Sequence, residues 1–114
     1  MKMIVAIIRP ERLEAVQAAL DARQVYLASV SQVLGDRREP GHTEIYRGRQ
    51  FRVPPAKLRL EIVANDGFVD PAVEAIVRAG TTGRAGDGEV FVLQLAERVR
   101  ICPDGGRGPT GIAG

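Results

Sequence analysis

The sequence predicts an α+β domain built from two β-α-β units joined by a long loop. Three observations support this. Short β-branched runs alternate with helical stripes in the order β-α-β, loop, β-α-β. The 114 residues are enough for one domain. Apolar residues make up 45% and charged residues 26%, a globular rather than disordered balance. This order is the ferredoxin-like, double split βαβ pattern, an antiparallel sheet with two helices on one face. In so small a chain, the expected cover for the other face is a second copy of itself.

Each element has its own signal. Met3 to Arg9 is a β-branched run that reads as a buried strand. Pro10 stops it and suits the first turn of a helix. Leu13, Val16 and Leu20 then fall at helical spacing. Val25 to Gly35 reads as the second strand. Lys57 to Ala64 alternates, with Leu58, Leu60 and Ile62 on one face and Lys57, Arg59 and Glu61 on the other. Asp70 and Pro71 resemble an N-cap and first helical position. Val73, Ile76 and Val77 form the stripe that follows, and Gly80 ends it. Glu89 to Ala96 is the fourth strand, and Arg98 to Cys102 reads as a short fifth. The expected domain is 1–102, with a mobile glycine-rich tail over 103–114.

Between the second and third strands lie 21 residues, Asp36 to Ala56, without a clear element. Loops of that length are usually functional or disordered. From Asp36 to Arg59 there are seven Lys/Arg and three acids, although the whole chain carries only +2. A basic loop on a mildly acidic body is either an anion or partner site or a solvated face.

Several functions find no support. No Trp and few aromatics leave no stacking platform for nucleic acid. One cysteine, Cys102, forms no internal disulfide and no Cys-based metal site. His42 has no triad or ligand spacing and reads as an exposed loop histidine. The N-terminal apolar run is too short for a signal peptide or a membrane span, so a cytoplasmic protein without membrane insertion is expected. The stretch Thr81 to Val92, TTGRAGDGEVFV, carries Gly83, Gly86 and Gly88. It reads equally as a backbone anion nest and as an ordinary helix-to-strand turn. It lacks the Lys-Ser/Thr pair of a Walker motif.

Two stretches carry a resemblance. G-H-T-E-I-Y-R-G (Gly41 to Gly48) and T-G-R-A-G-D-G-E-V-F-V (Thr82 to Val92) look like the two signatures of the PII signal-transduction family. The likeness runs from Met1 to about Ile101. It implies a homotrimer that binds adenine nucleotides in clefts between subunits and controls a target protein through the long loop. The target in such families is a transporter, an enzyme or a transcription regulator. The resemblance implies binding and switching, with no enzymatic turnover and no tightly bound cofactor. It would place Ile7, Glu61 and Val63 around the adenine and Ala28 and Ser29 near adenine and ribose. Gly35, Arg37, Arg38, Gly86, Asp87, Gly88, Glu89 and Arg100 would follow the ribose and phosphates. Lys57, Glu39 and Gly41 would face an effector anion. Tyr46, Arg47, Arg49, Phe51 and Arg52 would meet the target.

The chain departs from that pattern at informative places. Phe51 stands where many relatives have a uridylylated tyrosine, and Phe has no hydroxyl to modify. Glu39 replaces a glutamine that helps hold magnesium and 2-oxoglutarate. Glu89 replaces a Lys or Arg, and Cys102 replaces an arginine, while Arg37 replaces glycine. A hydrogen bond to a charged group is worth about 1.5–3 kcal/mol. Losing two cationic donors therefore costs about two to four decades of affinity for a polyanion. The expectation is ADP or AMP in preference to ATP with magnesium, and no 2-oxoglutarate response. Two alternatives follow: a regulator linked to inorganic carbon, with bicarbonate as co-effector at Lys57, or a ligand-independent trimeric adaptor.

Overall fold

A computed structural model describes residues 1–35 and 41–103. The order is β1 (Lys2–Ile8), a 3-10 turn (Pro10–Arg12), α1 (Leu13–Asp21), β2 (Ser29–Leu34), β3 (His42–Tyr46), β4 (Arg49–Val53), β5 (Ala56–Ala64), α2 (Asp66–Gly80) and β6 (Gly88–Gln94). Four strands form one sheet in the order β2-β5-β1-β6, with every neighbouring pair antiparallel. Each β-α-β unit is split by a strand of the other, as the element order implies.

Register decides which residues share a face. Ile4, Ala6 and Ile8 of β1 lie opposite Ile62, Leu60 and Leu58 of β5. These six turn toward the helices, where Val16 and Leu20 of α1 and Val69, Ala72, Ala75 and Ile76 of α2 close the core. Each fully buried aliphatic side chain contributes about 1.5–3 kcal/mol. The opposite face carries Met3, Val5 and Ile7, then Arg59, Glu61 and Val63, then Glu89, Phe91 and Leu93. Among the described residues no helix covers that face. Phe91 and Leu93 are each 48% exposed.

Four expectations need correction. First, the long loop has structure: β3 and β4 form a separate two-stranded ribbon. Tyr46 pairs with Arg49, leaving a two-residue connection, Arg47 and Gly48, at φ 52 and φ 77. Two successive left-handed residues make the tight hairpin turn that matches strand twist. Second, Val25 is not in a strand. Its N–H bonds Leu20 O at 3.0 Å, Gln24 N–H bonds Asp21 O at 3.0 Å, and Gln24 sits at φ 58. That pattern is a Schellman cap on α1, with Val25 buried against Leu20. Third, α2 begins at Asp66 rather than near Asp70. Val69 belongs to the core, Phe68 packs against it, and Phe68 N–H bonds Asn65 O at 2.8 Å, so burial draws the first turn back. Pro71 then sits inside the helix on its exposed side. Fourth, the expected fifth strand is a single bridge at Val99, because nothing extends its pairing. Arg37, Arg38 and Glu39 lie outside the described residues, as does the tail beyond Pro103.

Candidate functional site: a cleft between the glycine turn and the loop stem

Strand β6 starts where only glycine fits. Gly88 has φ 136 and pairs with Ile8. A Cβ on it would stand 1.8 Å from the Ile7 carbonyl oxygen. The turn before it, with Gly83 at φ 87 and Gly86 at φ 82, is thereby laid over the end of β1. Left-handed backbone of this kind favours glycine.

Asp87 organises that turn from within. Its carboxylate accepts from Arg9 Nε at 2.8 Å, Thr82 N–H at 2.8 Å and Gly83 N–H at 3.1 Å, and from the Thr82 hydroxyl. The Thr82 hydroxyl, then Arg9, then the backbone N–H groups hold its pKa well below the usual carboxylate range. Arg9 also donates to Ala85 O at 2.8 Å. Arg84 reaches Glu11 at 3.2 Å. The negative charge at Asp87 is thus spent on holding the turn.

The loop stem closes on the same region. Gly35 N–H donates to Pro55 O at 2.6 Å. Lys57, two residues on, is buried, and its ammonium donates to Gly86 O. One lysine therefore ties the base of the long loop to the glycine turn.

Between these two structures lies a cleft of about 470 Å³, lined by Ile7, Val33, Leu34, Gly35, Arg59, Gly86, Gly88 and Glu89. That is within the size range of small-molecule sites, about 300–1,000 Å³. Five of the nucleotide-site residues expected from sequence meet here: Ile7, Gly35, Gly86, Gly88 and Glu89. Others continue along the same sheet region without lining the cleft. Ser29 Oγ donates to Glu61 Oε1 at 2.7 Å, and Ala28 N–H donates to Glu61 O at 2.8 Å. Val63 follows two residues beyond Glu61. Arg100 is exposed beyond β6 and does not line this cleft. Gly41 lies just before the ribbon, where a Cβ would stand 1.7 Å from Val53 O. Tyr46, Arg47, Arg49, Phe51 and Arg52 are exposed on the ribbon, with the Arg47 guanidinium 5.3 Å from the Tyr46 ring centre. His42 Nε2 lies 2.9 Å from Glu44 Oε1 on the same exposed ribbon.

Sequence reasoning missed Val33, Leu34 and Arg59 as lining residues. The alternation of β5 put Arg59 on the outer face. Placing it beside Ile7 requires the β1–β5 register, which pairs them directly.

Comparison with known proteins agrees with the signatures. The family model "Nitrogen regulatory protein P-II" matches residues 1–104. The nitrogen regulatory protein P-II 2 of Methanothermobacter thermautotrophicus is 49% identical over 102 residues, 89% of this chain and 89% of that protein. Nitrogen regulatory protein P-II of Rhizobium etli is 44% identical, and P-II 1 of Escherichia coli strain K12 is 42% identical. Each covers 89% of this chain and 91% of the relative. With both signatures, both helices and the whole four-stranded sheet inside the matched span, this chain belongs to the nitrogen regulatory protein P-II family.

Proposed function

We propose that residues 1–102 form one subunit of a homotrimeric regulator that binds an adenine nucleotide and signals through the 42–53 ribbon. The observation that carries this reading is the cleft itself. It opens on the apolar sheet face and is bounded by the glycine turn on one side and the loop stem on the other. A second copy packed on that face would complete the site, and Lys57 would relay occupancy to the loop through Gly86 and Gly35. The exposed Tyr46, Arg47, Arg49, Phe51 and Arg52 offer an aromatic and cationic surface to a target protein.

Nucleotide preference follows from charge. Glu89 is an exposed carboxylate in the cleft wall, so each added phosphate meets added repulsion. AMP and ADP are favoured over ATP. The commitment of Lys57 to Gly86 O also disfavours 2-oxoglutarate, whose carboxylate would have to displace that bond. The test is a set of thermal shifts with AMP, ADP, ATP, 2-oxoglutarate and bicarbonate, since a ligand of the native state raises its melting point. Glu89→Lys should raise ATP affinity relative to AMP by about one to two decades. An unchanged order of affinities in calorimetric titration rejects this account of selectivity. No shift with any ligand rejects the sensor reading in favour of a constitutive adaptor.

A further inference from the structure

Four described cations surround the cleft and its walls, and they are not equally available. Arg9 is held by Asp87 and Ala85 at 2.8 Å. Arg84 is held by Glu11 at 3.2 Å. Lys57 is buried on the Gly86 carbonyl. Arg59 differs: its guanidinium approaches Glu61 Oε2 only at 3.9 Å, and its side chain is 45% exposed. Glu61 is itself held in place by Ser29 through its other oxygen. A contact that long is no hydrogen bond, and an exposed ion pair contributes little. Within the single subunit, Arg59 is therefore a planar donor set at the cleft floor with its hydrogen bonds largely unspent.

Register gives it a counterpart. Arg59 pairs with Ile7 on one side, and Ile7 pairs with Glu89 on the other. The three form one row across the outer face, Arg59–Ile7–Glu89, and all three line the cleft. Adjacent strands are about 4.8 Å apart, so the backbones of Arg59 and Glu89 stand about 10 Å apart with the apolar Ile7 between them. An anionic group resting over Ile7 has a fork of donors on one side and a carboxylate on the other.

We infer that Arg59 is the residue that receives the ligand's anionic group, and that Glu89 limits that group to a single phosphate-sized charge. The inference rests on the nucleotide reading above and assigns its specificity to β5 rather than to the glycine turn alone. A monoester phosphate takes the Arg59 fork while staying clear of Glu89. A longer phosphate chain extends toward Glu89.

The experiment compares adenosine, AMP and ATP by calorimetric titration on the full chain, wild type against Arg59→Gln and Arg59→Lys. In the wild type AMP should bind at least about tenfold tighter than adenosine, as expected for charge-assisted hydrogen bonds. Arg59→Gln should bring AMP to within about threefold of adenosine and leave adenosine affinity unchanged, a split that general damage to the site would not give. Arg59→Lys should keep part of the gap, because charge remains while the bidentate geometry is lost. If Arg59→Gln keeps the full AMP-to-adenosine gap, or Arg59→Lys loses as much as Arg59→Gln, the inference is overturned while the nucleotide reading stands. If the wild type binds none of the three, both fall. Should Arg59→Gln fail to fold, as judged by circular dichroism, Arg59→Lys decides alone: a complete loss of the gap overturns the assignment.

Discussion

Asp87 shows how a carboxylate can border a site proposed to take an anionic ligand. Four donors converge on its two oxygens, so the charge is compensated inside the turn before any ligand arrives. Asn at this position would present one amide NH₂ to donors that require an acceptor. Asp87→Asn should therefore lower the melting temperature by several degrees. The pH dependence has a definite sign. The folded-state pKa of Asp87 is depressed, so its stabilisation is fully present above the ordinary carboxylate pKa and is lost as pH falls toward the folded value. In urea titrations the wild type's margin over Asp87→Asn should be constant from about pH 8 to pH 5 and shrink below about pH 4. A margin as large at pH 3 as at pH 7 contradicts this. Among neighbouring carboxylates, Glu11 is also held low, first by its own backbone N–H and then by Arg84 and Arg9.

The ribbon is an element of a different kind from the sheet it leaves. It rests on its own backbone ladder and a left-handed turn, with only Val53 partly covered. Gly48 lies at φ 77 with nothing within 4 Å of a would-be Cβ, so Gly48→Ala carries a backbone cost of about 1 kcal/mol and no clash. Amide exchange over 42–53 should quicken about fivefold while the melting temperature of the domain holds. A fall in both would mean that ribbon and core unfold as one unit. The same contrast explains what could be read from sequence. The β5 alternation and both helical stripes were legible because one face is buried and the other is not. The ribbon was illegible because Thr43, Arg49, Gln50 and Arg52 have no buried face to pattern against. Val25 looked like a strand residue because β-branched side chains suit strands, yet a helix cap buried it instead. Glu89 was visible as an anomaly from its motif. Its partner across Ile7 emerged only once three strands were in register.

At the scale of the whole molecule, the outer sheet face is the surface that the proposed assembly would bury. Met3, Val5, Ile7, Val63, Phe91 and Leu93 make an apolar surface beside Arg59 and Glu61. Burying it between copies is the reading proposed above. Phe91→Asp places a charge opposite Val5 and should convert the proposed trimer to monomer in sedimentation velocity without unfolding the subunit, whose core lies on the other face. A sedimentation coefficient equal to that of the wild type would remove this face from the interface. The two sheets share no strand, and this separation has a consequence for descent as well as for folding. Substitutions on the ribbon disturb neither the core ladder nor the cleft floor, whereas a change at Gly88 meets the Ile7 backbone at once. If the proposed function holds, the surface offered to a target can therefore change over generations while the proposed ligand scaffold beneath it is kept intact.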